Sequence, residues 1–358
     1  MTDRPVTGGP ADAEPGVERG FPATATVPED DVLMPDPGTE REPVTPETAG
    51  ATFTQRGDRI FRGLVTGSGV FIVALIGAVA LFLLIQAIPS VLADKDNFLL
   101  SRQFVADDPN NMHFGILDLL LVTVEVSLFA LVLAMPVGLG IALFLTQYAP
   151  SRLAKPFAYL VDLLAAVPSI VFGLWGLLVL APVIEPVAVW FQDVFGWFFL
   201  FAPTQARSGA TLFTAGIVLA VMILPIITSI TREVFERTPR PLIEAALALG
   251  ATKWEVVRTT VLPFGRSGYV SASMLGLGRA LGETIALTVI LAAVNTAFGG
   301  SLFDGGATFA SKIALSFAEL NNALSAGAYI AAGLVLFVLT FAVNALARWI
   351  IARSGVRA

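Results

Sequence analysis

Six long stretches almost free of charge govern what this chain can fold into. Gly63–Ala93, Val126–Ser151, Leu163–Ile184, Ser208–Thr231 and Leu320–Ala347 carry no charged side chain, and Ser267–Phe303 carries only Arg279 and Glu283. A helix needs about 20 apolar residues to cross a bilayer. Backbone in lipid must also satisfy its own hydrogen bonds, so each span has to be helical. The pattern predicts six transmembrane helices, the second extended backwards over Phe114–Glu125. Pro136, Pro168 and Pro225 fall inside spans, where kinks are tolerated.

Composition agrees. Mean hydropathy is +0.77 and 14% of residues are charged, against about 25% in an average soluble domain. Such a chain needs lipid to cover its apolar surface, which argues against a soluble enzyme or a nucleic-acid-binding module. Cysteine is absent and His113 is the one histidine. Disulfides, a multi-His zinc site and a His-dependent triad within this chain are thereby excluded; no catalytic or metal-ligating residue is expected.

The net charge of −6 is unevenly spread. Residues 1–50 hold 11 acids and 3 arginines, whereas the rest holds 17 acids and 19 bases. Rich in Pro, Glu, Thr and Gly and without an apolar h-region, residues 1–55 read as a disordered acidic tail rather than a cleaved signal peptide. Residues 56–358 read as the membrane domain. Fourteen Lys/Arg flank one side of the predicted spans, and four (Lys95, Arg102, Arg207 and Lys312) flank the other. By the positive-inside rule both termini, tail included, are expected in the cytoplasm.

Two of the opposite loops are unusual. Glu185–Arg207 carries Trp190, Phe191, Phe195, Trp197, Phe198, Phe199 and Phe201, which suits a segment in the membrane interface or a docking surface. Gly299–Asn322 has Gly299-Gly300 and Gly305-Gly306 around short apolar runs. It reads equally as a segment dipping back as a partial gate and as a plain ordered loop.

Residues 232–266 form the one sizeable cytoplasmic loop. A short helix is expected over Leu242–Leu249, ended by Gly250 in the left-handed conformation. Thr252 and Glu255 have capping-box spacing and start a second helix. Pro263 is expected to limit that helix, with Trp254, Val257 and Val261 on one stripe. The run Glu244-Ala245-Ala246, then Gly250, then Leu262-Pro263 resembles the EAA signature of ABC-importer permeases, with Thr260 where isoleucine is usual. The resemblance implies that Glu244, Ala245, Ala246, Gly250, Leu262 and Pro263 couple the chain to a separate ATPase subunit, which would bind the Mg-ATP. The chain itself has no G-x-x-x-x-G-K-[ST] phosphate loop.

A charge at the bilayer centre costs about 2.5–3.5 kcal/mol on insertion scales. Arg279 and Glu283, four apart, share a helix face, and Gly268, Ala272 and Gly276 continue it as a small-residue stripe. Asp118 and Glu125, seven apart, share a face of the second span. At about 1.5 Å per residue, Glu125 and Arg279 both fall near the midplane, so a contact between them is geometrically possible. A guanidinium offers planar, bidentate donors to an oxyanion, whereas a purely architectural ion pair is the plainer alternative.

The run Gly276–Thr284 is similar to the phosphate-specific, PstC-type branch of these permeases. So are Val167–Gly176, which contains Ser169, and Phe309–Ala314. The resemblance covers roughly residues 60–350. It implies an all-α polytopic protein of the MetI-like ABC permease fold, and a substrate pathway holding Arg279, Glu283, Glu125, Asp118 and Ser169. It also implies a sister permease in a heterodimer, two ATPase copies and an extracytoplasmic phosphate-binding protein. Other oxyanions such as molybdate or sulfate, an ATP-independent anion carrier and a non-transporting scaffold are the rival readings.

Overall fold

The computed structural model describes residues 56–106, 111–204, 209–291, 298–317 and 322–353. The expected acidic tail, Arg207 and Arg357 lie outside them. Thr66–Ala358 forms one compact unit; of the other, Met1–Val65, the described part is helical.

Among the described residues the architecture is helical apart from one short hairpin. Helices α1 (Arg56–Ala93), α2 (Leu117–Leu143), α6 (Leu212–Glu236) and α12 (Ala323–Arg353) are single long elements. With Ser169–Phe195 they make five helices long and apolar enough to cross a membrane. A sixth crossing comes from a bent pair, discussed below. Pro136 and Pro225 sit inside α2 and α6. The hairpin joins α1 to α2 and pairs β1 (Phe104–Val105) antiparallel to β2 (His113–Phe114).

The third crossing departs from expectation. α3 (Ser151–Ala165) stops before Pro168, and the span runs from Ser169 through α4 (Ser169–Trp175), a π-turn and α5 (Ala181–Phe195). Pro168 therefore lies at a break and not inside the span. Proline lacks an N–H, and its ring disfavours helical backbone at the preceding residue, here Val167. The gain at the other end is equal in kind: Glu185, Trp190, Phe191 and Phe195, expected in a loop, are on α5.

α6 is the centre of the bundle. Of its apolar window 67% is buried, whereas α1 buries none of its own. On one side α6 meets α2, where a Cβ at Gly138 would stand 3.0 Å from Ile227 Cγ2. On the other it meets α9 (Leu262–Leu281) through that helix's small residues. A Cβ at Gly268 would reach within 2.5 Å of Val234, and one at Gly276 within 3.0 Å of Ile227. Close approach of backbones replaces the hydrophobic drive that lipid cannot supply.

Candidate functional site: a broken span and an exposed helical loop

The fifth crossing is not one helix. α9 ends at Leu281, Gly282–Thr284 break it, and α10 (Ile285–Leu291) departs at 54°. This corrects the expected one-face pairing of Arg279 with Glu283. Glycine ends α9 readily, because it has the least to gain from a helical backbone. Gly282 N–H then closes back on Arg279 O at 3.2 Å, and Glu283 N–H on Ala280 O at 3.3 Å. The two charges thus belong to different half-helices. Glu283 is buried, and its Oε1 accepts the Ala286 N–H at 3.3 Å. An acid at a helix start meets orphan donors and the positive end of the dipole. Arg279 lies in the last turn of α9, where a cation is favoured.

Arg279 is also not on the packed face. Ala272, Gly276 and Ala280 are buried against the bundle, whereas Arg279, one residue round from Ala280, is exposed. Among the described residues its side chain makes no ion pair and no hydrogen bond, and none joins it to Glu125. Its five N–H donors are unengaged. α10 is held where it is by α4. A Cβ at Gly173 would stand 2.9 Å from Ala286 Cα, and one at Gly176 2.9 Å from Ile290 Cδ1. The Val167–Gly176 run therefore serves the broken span sterically, and Ser169 opens α4, half-buried.

Glu125 lies at the level of the break. Val122 and Val126 pack with Ala286 and Ile290 beyond it, and Ala130 packs with Ala280 before it. Glu125 is half-buried, and its Oε1 is enclosed with no hydrogen-bond partner among the described residues. Asp118, seven residues earlier, is in the first turn of α2, where its Oδ1 stands 3.6 Å from Arg102 Nε. The structure does not group it with the broken span.

Asp304 was not singled out from sequence. It is buried, and its Oδ2 accepts the N–H groups of Gly299 and Ser301, each at 2.9 Å. The glycine pairs on either side were the available signal. Residues 298–308 dip into the bundle: Phe298, Ser301, Leu302, Phe303 and Thr308 are all buried. Phe303 joins Phe201 and Phe213 in an aromatic cluster that also takes in Phe191 and Phe195. Trp190 and Trp197 stay exposed.

The loop at the other end of α6 is built locally. α7 (Arg240–Ala248) ends with Gly250 at φ +85. Gly250 N–H bonds Leu247 O at 2.9 Å and Ala251 N–H bonds Ala246 O at 3.2 Å, the two bonds of a Schellman ending. Thr252 and Glu255 form the expected capping box at the start of α8 (Lys253–Val256). The second helix does not stop at Pro263. A π-turn over Val257–Val261 carries it into α9. There Leu262 N–H bonds Val257 O, five residues back, so the ladder is already shifted where proline contributes no donor. Val257 and Val261 are buried with Leu143 and Phe235, but Trp254 is exposed and off that stripe. α7 buries no residue. Glu244 and Ala245 are exposed, and Leu242, Leu247, Leu249 and Trp254 present an apolar surface around them.

A membrane-spanning helix bundle with a broken span and a projecting two-helix loop defines a class. Residues 134–355 match the family model for the binding-protein-dependent transport system inner membrane component. The chain belongs to that family of multi-pass inner-membrane permeases, which are transport proteins and not enzymes. Two curated relatives narrow the family. The chain is 59% identical to phosphate transport system permease protein PstC 2 of Mycobacterium tuberculosis over 82% of this chain and 91% of that one. It is 56% identical to PstC of Mycobacterium leprae over 85% and 96%. Within the class it therefore falls among the PstC permease proteins. A solved inward-facing MetNI methionine ABC transporter overlays on 66% of this chain and 94% of that one, at 19% identity and a TM-score of 0.48.

Proposed function

We propose that this chain forms half of the pathway by which an ATP-driven importer moves inorganic phosphate, with Arg279 as the residue that meets the anion. The observation that carries the reading is an exposed guanidinium with no partner among the described residues, at the end of a half-helix inside a membrane span. Left to lipid, such a group is costly; facing a pathway, it offers a fork of donors to a tetrahedral oxyanion. Glu283 holds α10 at the break through Ala286 N–H, and Glu125 places a carboxyl group at the same level. Together they would keep the anion from binding Arg279 too tightly to leave. Ser169, at the start of α4, and Asp118, paired with Arg102 at the start of α2, complete the proposed path at lower weight.

The family works with an ATPase and a substrate-binding protein. The finer assembly belongs to the proposal: a non-identical sister permease, two ATPase copies holding Mg-ATP, and an external binding protein for phosphate. In that assembly the exposed surface of α7, with Glu244, Ala245 and Gly250, docks on the ATPase. Leu262 and Pro263 tie its movement to α9, and both termini lie in the cytoplasm.

Arg279→Gln is expected to abolish phosphate uptake in cells lacking other phosphate carriers, and Arg279→Lys to leave a small residue of it. Assembly is checked by co-purification. A Gln variant that assembles and transports at the parental rate makes Arg279 architectural. Uptake competed away by molybdate or sulfate, but not by phosphate, assigns a different oxyanion.

A further inference from the structure

Residues 298–304 occupy the end of the bundle remote from α7, since α6 runs about 37 Å from one to the other. Leu302 and Phe303 are sealed from solvent. Besides the apolar core and the aromatic cluster they join, a set of replaceable polar contacts holds them. Leu302 N–H bonds Leu200 O at 2.9 Å, and Ser301 Oγ donates to Ala202 O at 2.9 Å. Inward, Leu302 O accepts from Phe213 N–H at 2.6 Å and Asp304 O from Leu212 N–H at 3.0 Å. The segment thereby caps the start of α6.

A cap is already present in the sequence at that position. Thr211 is the residue preceding α6, with the extended backbone of an N-cap, φ −120 and ψ 174. Threonine there normally accepts from the second or third helical N–H. Here its hydroxyl caps nothing, although it is buried and has no partner among the described residues. The start of α6 thus has two competing acceptors, one of them idle. If residues 298–304 withdrew, Phe213 N–H would lose Leu302 O, and rotation of Thr211 about χ1 would supply Oγ1 in its place. Gly300 stands at φ +103, a conformation open to glycine, and gives the segment a hinge.

We propose that residues 298–304 are a detachable plug closing the end of the pathway remote from α7, and that Thr211 is the standby cap that lets it leave. Two hydrogen-bonding arrangements of one helix end make the plug a two-position element rather than a continuously deformable one.

The chain has no cysteine, so Leu302→Cys in the assembled complex reports the plug directly. A water-soluble maleimide is expected to leave this thiol unmodified at rest and to modify it at least about tenfold faster during ATP turnover. Thr211→Val removes a hydroxyl that bonds nothing while the plug is seated. It is expected to slow turnover-dependent labelling about fivefold, the scale of an N-cap contribution, and Thr211→Ser to restore it. Equal labelling at rest and in turnover, or a Thr211→Val complex that labels like its parent, overturns the proposal. A second variant guards against loosening of the core by the single cysteine. Leu200→Cys with Leu302→Cys, oxidised to a disulfide, should stop transport, and reduction should restore it; undiminished transport in the cross-linked complex also overturns it. Labelling needs no solute, so a parent complex that fails to take up phosphate would count against the proposed substrate and leave this device standing.

Discussion

Two connections between helices of this bundle invite comparison, because both are short, apolar and punctuated by glycine. The Arg240–Val256 loop finds its hydrogen bonds within itself, through the Schellman ending at Gly250 and the Thr252–Glu255 box. It turns Leu242, Leu247, Leu249 and Trp254 outward. The 298–308 segment closes its own turn on Asp304 but is seated by partners far away in sequence, at Leu200, Ala202, Leu212 and Phe213, and turns its apolar residues inward. A connection that caps itself can project and keep its shape on a partner. One that is seated by distant partners stays in place only while they hold it, and can be released by moving.

The difference predicts where substitutions are felt. Asp304→Ala leaves the buried Ser301 N–H and the part-buried Gly299 N–H without their acceptor. The buried donor alone costs about 1–3 kcal/mol when orphaned. The thermal midpoint of the purified complex is expected to fall markedly, by far the largest effect of this set. An unchanged midpoint would mean that the segment is not held by these bonds.

Gly250→Val strains a left-handed position by about 1–2 kcal/mol, but in a loop with open space around it. Membrane insertion and assembly are expected to survive while transport is uncoupled from ATP hydrolysis. Normal phosphate-stimulated hydrolysis in this variant would refute the docking role of α7. The smallest effect is expected of Thr252→Ala, about 1 kcal/mol of local cap. Hydrogen exchange at α8 should quicken with no change in the global midpoint. A global shift would sharpen the comparison by showing that the two connections are not independent.

Much of the coupling loop was legible because its determinants lie within a few residues of one another. Gly250 as a helix ending and Thr252 with Glu255 as a box are local chemistry, and the structure has both. Pro263 was misjudged for a local reason as well: the π-turn before it shifts the ladder, and residue spacing does not announce such a shift. The broken span was half legible. Gly276–Thr284 marked itself by two charges in an apolar run, but the break at Gly282–Thr284 turned an assumed pair into residues of separate half-helices. Asp304 was missed because its worth comes from N–H groups presented by its own turn once that turn is buried.

By itself the sequence determined the first, second, fourth and last spans, with Pro136 and Pro225 inside them, and the self-capped loop, since uncharged length and near-neighbour capping are properties of contiguous residues. Only the tertiary structure decided that Arg279 faces outward while Ala280 faces α6, that Gly173 and Gly176 seat α10, and that Leu302 takes the N–H groups Thr211 could have capped. Those choices turn on which backbones approach one another and which of two acceptors arrives first, and both are settled by residues about a hundred positions apart in the chain.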